Sequence, residues 1–391
     1  MQKTLRPYAT TGVAIVGATL MTVPPAVASL PDIPAARDVA LTSFLTDAMA
    51  PWIDQYNIAA ENSTVLANNF NVAPFVAFQQ FLANQYAFMQ QILDDPANIP
   101  NVVSTMQDHL HAVMSAYTML TVDPTDPIAV TTTLHTLSGE ADLTNFLLGH
   151  GFLYTLLPNL LPALLPPGTD VDSIMPIINF VSSPMSGMIM GMIGPGISPW
   201  VALLNSITDG DGINETLANM AGAFFNGATL NLDFLIPLLG DAVPPGMLSH
   251  IEFAFGGLLT PGEVGNTPYT IYDASGAVVS EVPAVGGSIF NGVGLSLDAS
   301  ALLGVPLDMT VPSHGVGPIG AIMGWEQAIT GLLGGEAWNW GGKDGAPPPA
   351  DPPLSGFSFP VVPSDFFDDG GTGSSAADAF DFTSLMDALG I

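Results

Sequence analysis

FLLGHGFLYTLLPNLLPALLPPGTDVDSIMPIINFVSSPMSGMIMGMIGPGISPWVALLNSI, residues 146–207, is the stretch on which the fold of this chain turns. Together with NMAGAFFNGATLNLDFLIPLLG (219–240) and HIEFAFGGLL (250–259) it makes an oily tract without Lys or Arg. The segment between Asp172 and Asp209 carries no formal charge, and it is longer than the roughly 20 apolar residues that span a bilayer as a helix. Length alone permits a span. Proline argues otherwise, because Pro158, Pro162, Pro166, Pro167, Pro176, Pro184, Pro195 and Pro199 each remove a helix donor and restrict the preceding residue. The expectation is a series of short apolar helices and turns over 123–260 that bury one another or face lipid.

Upstream, residues 29–122 have helical spacing. Val39, Leu41, Phe44, Leu45 and Ala48 share a face, with Pro51 expected to close that helix. Phe75, Phe78, Leu82, Tyr86 and Met89 recur at three and four residues opposite Gln79, Gln80, Asn84, Gln85 and Gln90, and Asp94-Asp95-Pro96 ends that element. Val103, Met106, Leu110, Val113 and Tyr117 mark a third stripe. Three amphipathic helices with Pro-containing connections predict an antiparallel helical unit.

Downstream, residues 261–340 change character. TPYTIYD and AVVSEV flank Asp273-Ala-Ser-Gly276 as a hairpin. GGSIFNGVGLSLDAS and PLDMTV add strand-like runs, and a helix follows over Ile319 to Leu333. Residues 341–391 begin with the linker GGKDGAPPPADPPLSG. They end in an acidic segment whose Phe382, Leu385, Met386 and Leu389 lie along one side of a short helix, suited to docking on the chain's own body or on a partner. The fold class expected is mainly α, with a small antiparallel β element in the C-terminal third and a flexible acidic tail.

The first 28 residues have the form of a secretory leader. Lys3 and Arg6 precede an apolar run from Gly12 to Val23, and Ala26-Val27-Ala28 offers a small-residue cleavage site. An uncleaved N-terminal anchor is the alternative, and either places the chain outside the cytoplasm. Thirty-five acidic residues against four basic ones give a formal charge of −31. Such a surface repels nucleic acid and anionic headgroups, since phosphate binding depends on Lys and Arg. A mean hydropathy of +0.44 excludes the disordered class that high net charge otherwise suggests. Cysteine is absent, which removes disulfides, thiolate metal sites and Cys nucleophiles.

Motifs for chemistry are sparse. Asp209-Gly-Asp211-Gly-Ile213-Asn214-Glu215 resembles the start of a calcium loop, but Ile213, Asn214 and Met220 occupy positions where an EF-hand needs a ligand, a glycine and a bidentate Glu. An acidic turn before a helix, with Asn214 or Asp211 near its N-cap, is the ordinary alternative. His109 and His111 are two apart, a poor chelating pair on a helix, and His135, His150, His250 and His314 show no metal spacing. No nucleophile elbow, zinc-protease pair or phosphate loop occurs, so a Ser-His-Asp set would have to be assembled by tertiary structure alone. No catalytic residue, metal or cofactor site is assigned, and the chain is expected not to be an enzyme. Among Trp200, Trp325, Trp338 and Trp340, the pair Trp338 and Trp340 in EAWNWGG is the candidate for membrane or partner contact, tryptophan being favoured where apolar and wet environments meet.

The leader MQKTLRPYATTGVAIVGATL, the run WIDQYNIAAENSTVLANNFNVAPFVAFQQFLANQYAFMQQILDDP, and the later NGATLNLDFLIPLL and GGSIFNGVGL resemble a group of exported proteins of mycolate-bearing actinobacteria, the outer membrane porin A of the Gordonia type (GjpA-like). The resemblance is strongest in the first third, recurs in patches to about residue 295, and does not reach the acidic tail. It implies an outer-envelope, mycobacterial-type location, pore activity for small solutes, and envelope lipid or cell-wall components as partners. It supplies no catalytic residues. A transmembrane barrel needs many alternating segments of about ten residues, and residues 30–260 lack them. Any pore would therefore be a homo-oligomer of amphipathic helices, favouring cations through its acidic excess. The alternative is a secreted or envelope-attached scaffold whose acids form its solvated surface.

Overall fold

The computed structural model describes residues 39–120, 171–239, 246–263, 269–272, 277–282, 285–298, 308–335 and 352–354. The leader, residues 123–170, Trp338 and Trp340, and the tail with Phe382, Leu385, Met386 and Leu389 lie outside them. The described chain is mainly helical, with a four-stranded antiparallel sheet and a hairpin serving its C-terminal part.

Three helices come first, α1 (Val39–Val72), α2 (Val76–Asp94) and α3 (Ile99–Thr118). Asp95 ends α2 in an extended conformation, and its carboxylate accepts from Ala97 N at 2.9 Å, so the expected stop at Asp94-Asp95-Pro96 is present. Pro51 does not close α1, which runs through it for 34 residues, about 51 Å at the usual helical rise. The stripes are also displaced. Phe75 and Phe78 of the expected α2 core are exposed while Val76 and Phe88 are buried; in α3, Leu110 is exposed while Val102, Ser115 and Ala116 are buried.

The oily middle then forms α4 (Val171–Val181), α5 (Pro184–Asp209) and α6 (Ile213–Asn226). Short helices appear as expected in α4 and α6, with a break before Pro184, but α5 departs from the expectation by continuing for 26 residues with Pro195 and Pro199 inside it. An internal proline costs a helix about 3 kcal/mol, and tertiary packing offsets this. Gly194 also precedes Pro195, so the Cβ that normally disfavours helix before proline is missing. Ser183 caps α5, its hydroxyl accepting from Ser186 N, and Gly210 ends it with φ 79°.

Strands β1 (Ala228–Asn231) and β2 (Leu248–Phe255) follow, within the stretch expected to be helical. The sign of β2 was the alternation of Ile251, Phe253 and Phe255 with His250, Glu252 and Ala254, hidden by the oily composition. The expected hairpin is β3 (Tyr269–Tyr272) with β4 (Val278–Val282), Tyr269 opposite Val282. The expected later strands are β5 (Val293–Asp298) and β6 (Asp308–Val311). The main sheet has the order β1-β2-β5-β6 and is antiparallel throughout, with β1 and β6 as its outer strands among the described residues. Helix α7 (Pro318–Leu332) closes the body.

Amide side chains join these helices. Gln327 Nε2 of α7 donates to Asn69 Oδ1 of α1 at 2.7 Å, with both residues buried. Asn84 Nδ2 of α2 donates to Leu333 O, and Tyr117 of α3 stacks on Trp325 of α7. Nearer the start of α1, Gln55 donates to Asn219 Oδ1 of α6, and Asn226 Nδ2 donates back to Gln55 O. Through Asn84, the amide-rich face of α2 legible in the sequence is thus partly internal. These contacts are made without a charge, while Asn226 Oδ1 is buried with no hydrogen-bond partner among the described residues.

Candidate functional site

Helix α5 is built with its polarity reversed. Its buried face is small or hydroxylic: Gly187, Gly191, Gly194, Ser198, Ala202 and Ser206. That face meets glycine-rich backbone, for a Cβ on Gly187 would strike Gly287 O, one on Gly191 would lie 2.9 Å from Gly317 C, and one on Gly194 would strike Gly256 O. Hydroxyls join the same contact. Ser198, 0% exposed, donates to Gly256 O at 3.1 Å, and Ser186 Oγ accepts from Ile289 N at 3.1 Å. Ser206 accepts from Asn219 Nδ2 of α6, and Asn205 Nδ2 donates to Thr229 O of β1.

The opposite face carries the large apolar side chains. Ile189, Met192, Ile193, Trp200, Leu204 and Ile207 are exposed, Met192 and Trp200 at 64% and Ile207 at 68%. They recur at three, four and seven residues, which keeps them on one stripe about 27 Å long. Helix α6 continues the pattern with Ile213 and Leu217 exposed and Ala218, Gly222 and Ala223 buried. Small residues and hydroxyls at helix contacts, with large apolar side chains outward, is the packing that suits a lipid environment. In water the same arrangement leaves a contiguous apolar surface of the kind that marks an interaction site. Among the described residues, α5 is the helix long and apolar enough to cross a membrane.

A second cluster forms where the sheet meets the turn after β1. His250 Nδ1 lies 2.9 Å from Asp233 Oδ1, and His250 Nε2 lies 3.2 Å from Glu252 Oε2. Asp233 also accepts from Ile251 N at 2.9 Å, and Ser313 Oγ donates to Glu252 Oε1 at 2.6 Å. Hydrogen bonds to Glu252 and then Asp233 hold His250 above its ordinary value. The Ile251 amide, followed by His250 and Asn231, lowers Asp233. Burial acts to raise Glu252, but the bonds from Ser313 and His250 outweigh it and leave it lowered. Gly294 makes this possible, since a Cβ there would lie 2.6 Å from Glu252 Cγ.

The order Ser313, Glu252, His250, Asp233 is not that of a nucleophile and its base. A catalytic serine must donate to the imidazole, whereas here both ring nitrogens face carboxylates, which favour its protonated form. The cluster is a clamp between β2 and the turn after β1. Beside it, Asn226, Thr260, Glu263, Ser313 and His314 line a cavity of about 310 Å³, with His314 Nδ1 3.0 Å from Glu263 Oε2. The described residues contain no group of three or more His, Asp or Glu placed to hold a metal.

The acidic turn expected from the sequence has a packing role. Gly212, rather than Asp211 or Asn214, is the N-cap of α6. Asp211 Oδ2 accepts from Asn219, while Asn214 accepts from Trp52 Nε1 and donates to Ala48 O at 2.7 Å. Asp209 and Glu215 are exposed beside it. His109 sits near the Phe88 ring, and burial lowers its pKa against the opposing effect of Asp108. Sequence reasoning missed the outward stripe of α5, although its signal was present as small residues at helical spacing from Gly187 to Ser206. It missed the clamp because Asp233 and Ser313 are 80 positions apart. Comparison with known protein families, with curated proteins and with solved structures finds no match.

Proposed function

We propose that this chain is an exported, non-enzymatic cell-envelope protein that works at a lipid surface, in the manner of the outer membrane porins it resembles. One observation carries the proposal: α5 buries Gly191, Gly194 and Ser198 while turning Met192, Trp200 and Ile207 outward. A water-facing helix gains stability from the reverse choice. If the protein conducts, the path lies between copies, because the inner face of α5 is closed by backbone contact with the glycines that follow β2 and precede β5 and α7. Acidic residues without Lys or Arg among the described residues would make such a path favour cations.

The scaffold alternative has its own support in that same closed packing. Planar bilayers separate the two. Discrete cation-selective conductance steps from the full chain would establish the pore; stable envelope attachment with silent bilayers would establish the scaffold.

A further inference from the structure

The described residues include acids at many positions but neither Lys nor Arg. This constrains what can cover the α5 stripe. The stripe itself is uncharged from Ile189 to Ile207, and it ends directly at Asp209, Asp211 and Glu215, of which Asp209 and Glu215 are exposed. Whatever lies against Ile207 and Ile213 therefore meets carboxylates at its edge. A second copy of the chain brings acids of its own and no Lys or Arg among its described residues to pair them. An anionic membrane has the same sign as the turn and repels it. An electroneutral lipid surface offers acyl chains to the stripe and no net charge to the turn.

We propose that the outward stripe of α5 docks on electroneutral lipid and that the acidic turn at its C-terminal end discriminates against anionic lipid. This rests on the lipid-surface function proposed above and names the partner chemistry of that surface. Trp200 sits mid-stripe, and Asp209 and Glu215 remain at headgroup level in water. Docking is side-on, because the other face of α5 is held by the sheet and by α6.

The test is co-sedimentation of the full chain, in chelator and at low salt, with phosphatidylcholine vesicles and with vesicles in which about one-third of the lipid is phosphatidylglycerol. A charge near an anionic surface changes binding by about 1 kcal/mol, so two carboxylates at the headgroups predict binding about tenfold or more weaker to the mixed vesicles. Raising salt to about 0.5 M should recover most of that loss by screening. Asp209→Asn with Glu215→Gln should narrow the difference, and Met192→Ser with Ile207→Ser should weaken binding to phosphatidylcholine severalfold with an unchanged circular-dichroism spectrum. Equal binding to both vesicle types overturns this inference while leaving the lipid-surface function standing. Binding to neither overturns both. Retention of phosphatidylcholine binding by the Met192→Ser, Ile207→Ser variant removes α5 from the contact. A vesicle-free dimer dissociated by Ile207→Ser gives the stripe to a second copy, and that also overturns the inference.

Discussion

Substituting alanine for Gly194 sets two effects of opposite sign against each other. Alanine favours helix over glycine by about 1 kcal/mol, so α5 considered alone predicts stabilisation. The Cβ would be driven into the carbonyl oxygen of Gly256, with the carbonyl carbon of Gly256 at 3.2 Å. Both partners are backbone, so no side chain can rotate away, and α5 must lift from the sheet, stretching the Ser198 bond to Gly256 O. Overpacking costs about 1–3 kcal/mol, and rigid backbone on both sides places this case at the top of that range. The net expectation is destabilisation by about 2 kcal/mol. Ile207→Ala supplies the contrast, because a side chain 68% exposed forfeits only about a third of the roughly 1.5–3 kcal/mol that full burial provides. Its cost should stay below about 1 kcal/mol. Urea unfolding followed by far-ultraviolet circular dichroism reads both midpoints in one buffer. Gly194→Ala as stable as the parent, with Ile207→Ala the more damaging change, would refute the inverted packing of α5.

The clamp predicts a pH dependence. His250, raised in the folded state, contributes stability that is fully present below its ordinary value of 6.5 and is lost as pH climbs through the raised value. Asp233 and Glu252, lowered, contribute stability present above their ordinary values of 3.8 and 4.5 and lost as pH falls through the lowered ones. The clamp's contribution should therefore be greatest between about pH 4.5 and 6.5, and His250→Gln should make the decline of the thermal midpoint on the alkaline side shallower; a parallel decline in the variant would argue against the clamp. Gln327→Ala removes a buried hydrogen bond to Asn69 Oδ1 and should cost about 1–3 kcal/mol in urea unfolding. Gly294→Ala should dislodge Glu252 from Ser313 and His250, seen as a fall of the His250 pKa in a histidine NMR titration, with an unshifted value counting against that role.

Helix positions and the late strands were legible because their signals are local. Asp94-Asp95-Pro96 ended α2, and the expected hairpin appears as β3 paired antiparallel with β4. The proline breaks misled because a helix is judged locally as an isolated object, while Pro51, Pro195 and Pro199 lie in helices held from outside. The stripe on α2 misled for a related reason. Periodicity locates an apolar face but cannot say whether protein or lipid lies against it, and Phe75 and Phe78 point outward.

By itself the sequence determined a cysteine-free, acidic, mainly helical chain with a small sheet, since composition and local spacing are sufficient for those properties. Only the tertiary structure decided which faces turn inward. Glycine and serine on α5 take the interior because backbone can approach backbone there without a Cβ between them, and the large apolar side chains are left on the outside. Only the pairing of β1 with β2, and the return of the chain after β6, bring Asp233, His250, Glu252 and Ser313 within hydrogen-bonding distance.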